Sequence, residues 1–307
     1  MYILNMRCFI LMLFLVAFSC KKSVDEKAVI KVSEIIKSDD FQLVKSSNEK
    51  GLLVLFPCFP CDAENTLAEF KIADVAAKNG FSVLALNVNR KLFLSEEEKE
   101  DIASMLQSII KTNNLVTKNI YFGGFSSGGN MALLIGNHLK KYDRNIQPDA
   151  IFVVDSPLDL LALYKTAEKN LKQKVAEVSV QESQFIKQMF DAKFGSPNDS
   201  LAVYEKFSPF TFQTKNIANL SALKNTKLRF YTEPDMAWWK EQRQNDYEDL
   251  NAYYLKQLSI VLKSAFEETD VELIETQNKG YRANGERHPH SWSIVNPEEL
   301  VSWMLKD

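Results

Sequence analysis

The stretch NIYFGGFSSGGN, Asn119 to Asn130, decides how the chain is read. A short β-prone apolar run, Ile120 to Phe122, meets a glycine pair. A serine follows, then two more glycines, and then Met131, Leu134, Ile135 and Leu139 recur at helical spacing. The pattern Gly124-Phe125-Ser126-Ser127-Gly128 predicts a strand that turns sharply into a helix with Ser126 at the tip. Glycines two before and two after the serine remove side chains that would collide where strand and helix converge. The start of the helix offers free N–H groups beside the hydroxyl. Ser126 is therefore the candidate nucleophile. Ser127 is the poorer one, since Phe125 stands where its preceding glycine would fall. A glycine-rich turn without chemistry is the alternative.

Working outward, strand and helix signals alternate on both sides of this turn. Gly51 to Phe56 reads as a buried strand and is followed by the loop Pro57-Cys-Phe-Pro-Cys-Asp62. Residues 64–79 read as one helix stopped by Gly80. Phe81 to Leu86 is the next strand, and the acidic run Glu96 to Asp101 opens another helix, where negative charge suits the dipole. Ala150 to Val154, Leu228 to Tyr231 and Val271 to Ile274 complete the strands, with a helix over 246–266 and a closing helix from Pro297. Val29 to Ile36 and Phe41 to Val44 are candidate edge strands. This alternation predicts an α/β fold with a mostly parallel central sheet flanked by helices. Residues 157–226 break it. They are polar, helix-prone and studded with aromatics, and are expected to form a helical cap inserted over the carboxyl ends of the strands. Extra core helices away from the site are the alternative.

The chain has 307 residues, enough for one large core with an insertion. Apolar content of 46% and charged content of 25% are ordinary for a soluble globular domain. A net charge of −3 with no basic stripe argues against nucleic acid as a partner. Residues 1–19 read as a signal peptide: Arg7 begins it, and an apolar run from Cys8 to Ser19 is too short to span a bilayer comfortably. The ending Ala17-Phe18-Ser19-Cys20 resembles a bacterial lipoprotein signal. That resemblance implies lipid on Cys20, a tether over 20–28, a domain over 29–307, and a place in the cell envelope on a membrane. A soluble secreted protein cleaved nearby is the alternative. Of the four cysteines, Cys58 and Cys61 then remain, spaced for a local disulfide. No second ligand pair has metal spacing, so neither metal nor organic cofactor is expected.

A serine needs a base, and the base an orienting acid. Of three histidines, His138 lies about twelve residues along the helix after Ser126, over ~15 Å down its axis. It is expected to be a packing residue. His288 and His290 remain, in the loop after the last strand.

In this order of serine, late acid and late histidine, residues 40–156 and 227–307 resemble the α/β-hydrolase superfamily. Phe230 to Asp235, FYTEPD, is similar to the superfamily's strand ending G-x-x-D, with Thr232 in place of the glycine. The resemblance implies Asp235 as the acid. Glu233 stands second, and Asp155 or Asp159, after another sheet strand, is a further choice. His290-Ser-Trp looks like the G-H-S-W of secreted esterases and favours His290 over His288. Pro57-Cys-Phe-Pro60 resembles the superfamily's H-G-F-P, implying the N–H groups of Phe59 and Ser127 as the oxyanion hole. The expected chemistry is acyl transfer to water, most simply from a carboxylic ester, with an acyl substrate that is a small molecule or a peptide. Trp238 and Trp239 either line the pocket or merely pack. Two other functions stay open. One is a thiol–disulfide oxidoreductase, because GLLVLFPCFPCD also looks like a thioredoxin-family strand and C-x-x-C. The other is a silent binding protein on a hydrolase fold.

Overall fold

The apolar runs become strands because each is buried on both faces, as a parallel sheet requires. A computed structural model describes residues 34–88, 91–197, 201–267 and 269–306. The signal segment, the tether and Cys20 lie outside the described residues. In chain order the elements are β1 (Glu34–Lys37), β2 (Phe41–Lys45), β3 (Gly51–Phe56), α1 (Ala63–Phe70), α2 (Ala73–Lys78), β4 (Phe81–Leu86), α3 (Glu96–Thr112), β5 (Ile120–Phe125) and α4 (Ser127–Lys141). There follow β6 (Ala150–Val154), α5 (Leu160–Gln173), α6 (Glu177–Phe194), α7 (Leu201–Phe207), β7 (Lys227–Thr232), α8 (Met236–Arg243), α9 (Asn251–Ala265), β8 (Val271–Glu275) and α10 (Pro297–Met304).

Eight strands form one sheet in the order β1-β2-β4-β3-β5-β6-β7-β8. The pairs β1–β2 and β2–β4 are antiparallel, and all others are parallel. The chain winds outward from β3 to β4, then returns to β5 on the other side of β3. The order therefore reverses between β3 and β5, and a crevice opens there at the strands' carboxyl ends.

The period-2 alternation of side chains sorts the core. Leu52, Val54 and Phe56 point to one face, among α3, α4 and α9, while Leu53 and Leu55 point to the other, among α1, α2 and α10. Local signals close the helices. Ser95 and Glu98 form a reciprocal cap at the start of α3, and Asn296 caps α10 ahead of Pro297.

Residues 64–79 are two helices rather than one. Lys71 adopts a left-handed conformation (φ 52°) that ends α1, and α2 starts two residues later. The 246–266 helix likewise begins as a short 3₁₀ turn, Tyr247–Asp249, before α9. The segment 157–226 divides. Helices α5 to α7 gather Tyr164, Phe190, Phe194, Tyr204 and Phe207 into a separate aromatic cluster. Phe210, Leu220 and Leu223 instead join the main core beside α4.

Candidate active site

Parallel pairing carries the candidate residues to one level. Gly124 pairs with Phe56, Phe125 with Val154, and Val154 with Tyr231. The ladder runs one step further: the Ser126 N–H donates to the Val154 carbonyl at 2.9 Å, and the Asp155 N–H to the Tyr231 carbonyl at 2.8 Å. Pro57, Ser126 and Asp155 thus follow three adjacent strands, and Thr232 ends the fourth, at the same end of the sheet.

Ser126 sits at φ 55° and ψ −129° between β5 and α4. A left-handed backbone at a non-glycine residue is costly and persists only where the surroundings impose it. Here two close approaches do so. A Cβ on Gly124 would meet the Gly128 backbone, and a Cβ on Gly128 would meet the carbonyls of Phe56 and Pro57. The first turn of α4 is thereby pressed onto the loop after β3. The Ser127 N–H belongs to that first turn, where no intrahelical acceptor exists. Cys58 and Cys61 are joined by a disulfide in the facing loop, and Phe59 lies between them.

Asp155 has the same backbone sign, φ 43°. Its Oδ2 lies 2.6 Å from His290 Nδ1, and its Oδ1 accepts from the Thr232 hydroxyl at 2.7 Å. Asn251 donates to the Asp155 carbonyl at 2.8 Å. An ionised carboxylate only accepts, so Nδ1 of His290 carries the hydrogen and Nε2 is left as a base. The His290 ring rests on Phe125, with centroids 4.4 Å apart.

Asp235, the acid the sequence favoured, is not at the histidine. It caps α8 by accepting from the Trp238 N–H at 3.1 Å, and its Oδ2 pairs with Arg287 at 2.6 Å. Glu233 is occupied as well. Its buried carboxylate pairs with Arg287 at 2.6 Å and accepts from the Lys279 and Gly280 N–H groups and the Thr276 hydroxyl. It fastens the loop that carries the histidines. Asp159 caps α5 and accepts from Phe212 N–H; burial raises its pKa against the pull of those backbone bonds.

His288 packs against Trp238 with centroids 4.7 Å apart and the rings tilted, and Trp239 lines the cavity. Burial pushes the His288 pKa down to about 3, and Arg282, His290 and Arg243 add to the effect while the His290 backbone opposes it. His138 packs on Tyr142 and faces Glu100 at 3.1 Å, far from this end.

Ser126, Asp155, His290, Phe59 and both cysteines line one cavity of about 530 Å³. Helices α5 and α6 form its far wall through residues such as Leu163, Asn170 and Ile186. Among the described residues, no group of three or more His, Cys, Asp or Glu is gathered as a metal site. Thr232 and Asn251 were not singled out from sequence as site residues. Thr232 in fact stood as the departure from G-x-x-D, and it is the residue whose hydroxyl holds Asp155.

No protein-family model matches the chain, and no curated protein matches its sequence. Solved structures do match. Carboxyl esterase 2 of the fungus Tuber melanosporum superposes with a TM-score of 0.54 at 12% identity, over 88% of this chain and 83% of that one. An esterase of Pyrococcus furiosus gives 0.54 at 14% identity, over 88% of each chain. FphF, a fluorophosphonate-binding serine hydrolase of Staphylococcus aureus, gives 0.53 at 12% identity, over 90% of this chain and 98% of that one. At such identities the likeness concerns architecture alone. The thioredoxin reading does not survive this, because β3 and β4 are interior strands of an eight-stranded sheet. The chain has the α/β-hydrolase fold.

Proposed function

We propose that the protein is a serine hydrolase that cleaves carboxylic esters through an acyl-enzyme. The observation that carries this is the strained Ser126 in the same cavity as a histidine held at 2.6 Å by a buried carboxylate. Ser126 Oγ attacks the ester carbonyl while His290 Nε2 takes its proton. His290 then returns the proton to the departing alkoxide, leaving an acyl-serine. Water repeats the sequence, freeing the acid and restoring the serine. Asp155 fixes the tautomer and stabilises the imidazolium. The N–H groups of Phe59 and Ser127 hold the oxyanion. Helices α5 to α7 act as a cap that encloses the substrate. The same apparatus serves amides and thioesters, and the partly apolar cavity of about 530 Å³ favours a small ester over a long peptide.

The sequence further supports export and lipidation at Cys20, placing the domain on a membrane of the cell envelope. Metabolic labelling with a fatty acid, lost in Cys20→Ala, tests that part.

For the chemistry, the domain from residue 21 onward is treated with a fluorophosphonate probe and the adduct is located by peptide mass spectrometry. Labelling at Ser126 that is lost in His290→Ala and kept in His288→Ala is expected. A folded sample that takes no label would instead favour a binding protein.

A further inference from the structure

The cavity that holds Ser126 is lined by a cation that ester chemistry alone does not require. Four carboxylates line it, and each has a cation or a histidine against it. Asp155 faces His290, Glu233 pairs with Arg287, Asp249 pairs with Lys169 at 2.5 Å, and Glu182 lies 3.5 Å from Arg243. Two arginines line it, Arg243 and Arg282. Arg243 shares its charge with Glu182, whose side chain is 64% exposed. Arg282 has no carboxylate within ion-pairing distance among the described residues. Its guanidinium is half-buried, and burial lowers its pKa; Glu69 and Glu286 act the other way from a distance, and Arg243 repels it. A desolvated guanidinium without a paired acid is costly in a folded protein, which is why buried charges are ordinarily paired.

The position of this charge is set by the histidine loop. Tyr281 bridges to Arg287, and the Arg282 N–H donates to the Glu286 carbonyl at 2.8 Å, so Arg282 sits at the base of a tight hairpin. Both arginines act on His288, and the His288 ring lies 6.3 Å from the His290 ring. Arg243, Arg282, His288 and His290 all line the cavity that holds Ser126. Phe59, Leu163 and Ile186 line the cavity elsewhere and offer apolar surface.

We propose that the substrate is an ester carrying a carboxylate, and that Arg282, assisted by Arg243, binds that carboxylate. The proposal rests on the serine-hydrolase reading and adds the substrate class to it. Arg282 is the cation lining the cavity that no carboxylate neutralises at ion-pairing distance among the described residues, and one such charge suits a monoanion. The planar fork of a guanidinium matches both oxygens of a carboxylate. His290, once it holds the serine proton, delivers it to the leaving oxygen, so the leaving group lies on the histidine's side of the serine. The anion on that side belongs to the alcohol portion of the ester.

The test compares matched pairs of esters that differ only in charge. Benzyl acetate is set against its 4-carboxy derivative, which carries the anion on the alcohol. Benzyl hexanoate is set against the monobenzyl ester of adipic acid, which carries it on the acyl group. The readout is the ratio of kcat/KM for the charged ester to that for the neutral one. In the wild type this ratio exceeds one for at least one pair, the alcohol-side pair by the geometry. Arg282→Gln lowers it about 10- to 100-fold, and Arg282→Lys restores part of it. A ratio at or below one for both pairs, or a ratio unmoved in Arg282→Gln, overturns the proposal. Calorimetry of the charged ester with Ser126→Ala, against the same protein carrying Arg282→Gln, measures recognition without turnover. Loss of affinity with Arg282→Gln supports the proposal even if no ester is cleaved, and equal affinity refutes it. Absence of fluorophosphonate labelling would sink the hydrolase reading separately.

Discussion

Two neighbouring parallel strands, β6 and β7, both end in acidic loops, and the loops serve opposite purposes. After β7, Glu233 and Asp235 converge on Arg287, and their charge is spent inside the protein. After β6, Asp155 meets no lysine or arginine at ion-pairing distance among the described residues. It accepts from Thr232 on one oxygen and faces His290 on the other. One loop therefore builds a clamp that holds the histidine hairpin, and the other sets a carboxylate against the histidine itself. Which carboxylate serves a site depends on which one lacks a competing cation. Sequence position relative to a motif does not record that.

The largest difference between the two loops is expected in turnover. Asp155→Asn should lower kcat for a neutral nitrophenyl ester by about 10³- to 10⁴-fold, because the wrong histidine tautomer is then favoured. Asp235→Asn should cost about tenfold or less in the same assay. The clamp should show itself in stability instead. Arg287→Met leaves the Glu233 carboxylate, 1% exposed, without its cation. A loss of roughly 3 kcal/mol in denaturant unfolding is expected, larger than for any neutralisation of Asp235.

A smaller effect should come from the residue that links the two strands. Thr232→Val removes one hydrogen bond to Asp155 and keeps the side-chain shape. It should reduce kcat by about tenfold with little change in KM. A wild-type rate in that variant would remove Thr232 from the account.

The smallest effect separates the two histidines by pH. The folded pKa of His288 is pushed down from 6.5 to about 3, mainly by burial. In that window the unfolded chain binds the extra proton and the folded chain does not. Stability from this group is therefore full above pH 6.5 and is lost as pH falls toward 3. His288→Gln should flatten the acid limb of the stability curve. It should leave kcat/KM for a neutral ester at neutral pH unchanged.

Much of the fold was legible because its signals are local. Gly51 to Phe56 and Phe81 to Leu86 are continuous apolar runs and are strands at those limits. The serine turn could be read because close approach of two backbones demands glycine at fixed offsets. Lys71 gave no sign of a break, since lysine is not a residue type that marks a left-handed helix end. The short helix α8 was hidden for a similar reason: its start depends on the cap at Asp235, a residue that could also have been the acid. In the site, the choice between Asp155 and Asp235 rests on Arg287, which lies 52 residues from Asp235 in sequence. A long-range ion pair leaves no periodicity to read. Thr232 was visible only as a mismatch to a motif, and its meaning appears once β6 and β7 are side by side.

The most direct test is the low-field proton spectrum of the imidazole N–H groups. A histidine Nδ1–H held by a carboxylate at 2.6 Å gives a strongly deshielded resonance that exchanges slowly with water. The account predicts that this resonance is present in the wild type and in Asp235→Asn, and absent in His290→Ala and Asp155→Asn. A resonance that persists in Asp155→Asn and vanishes in Asp235→Asn would contradict it.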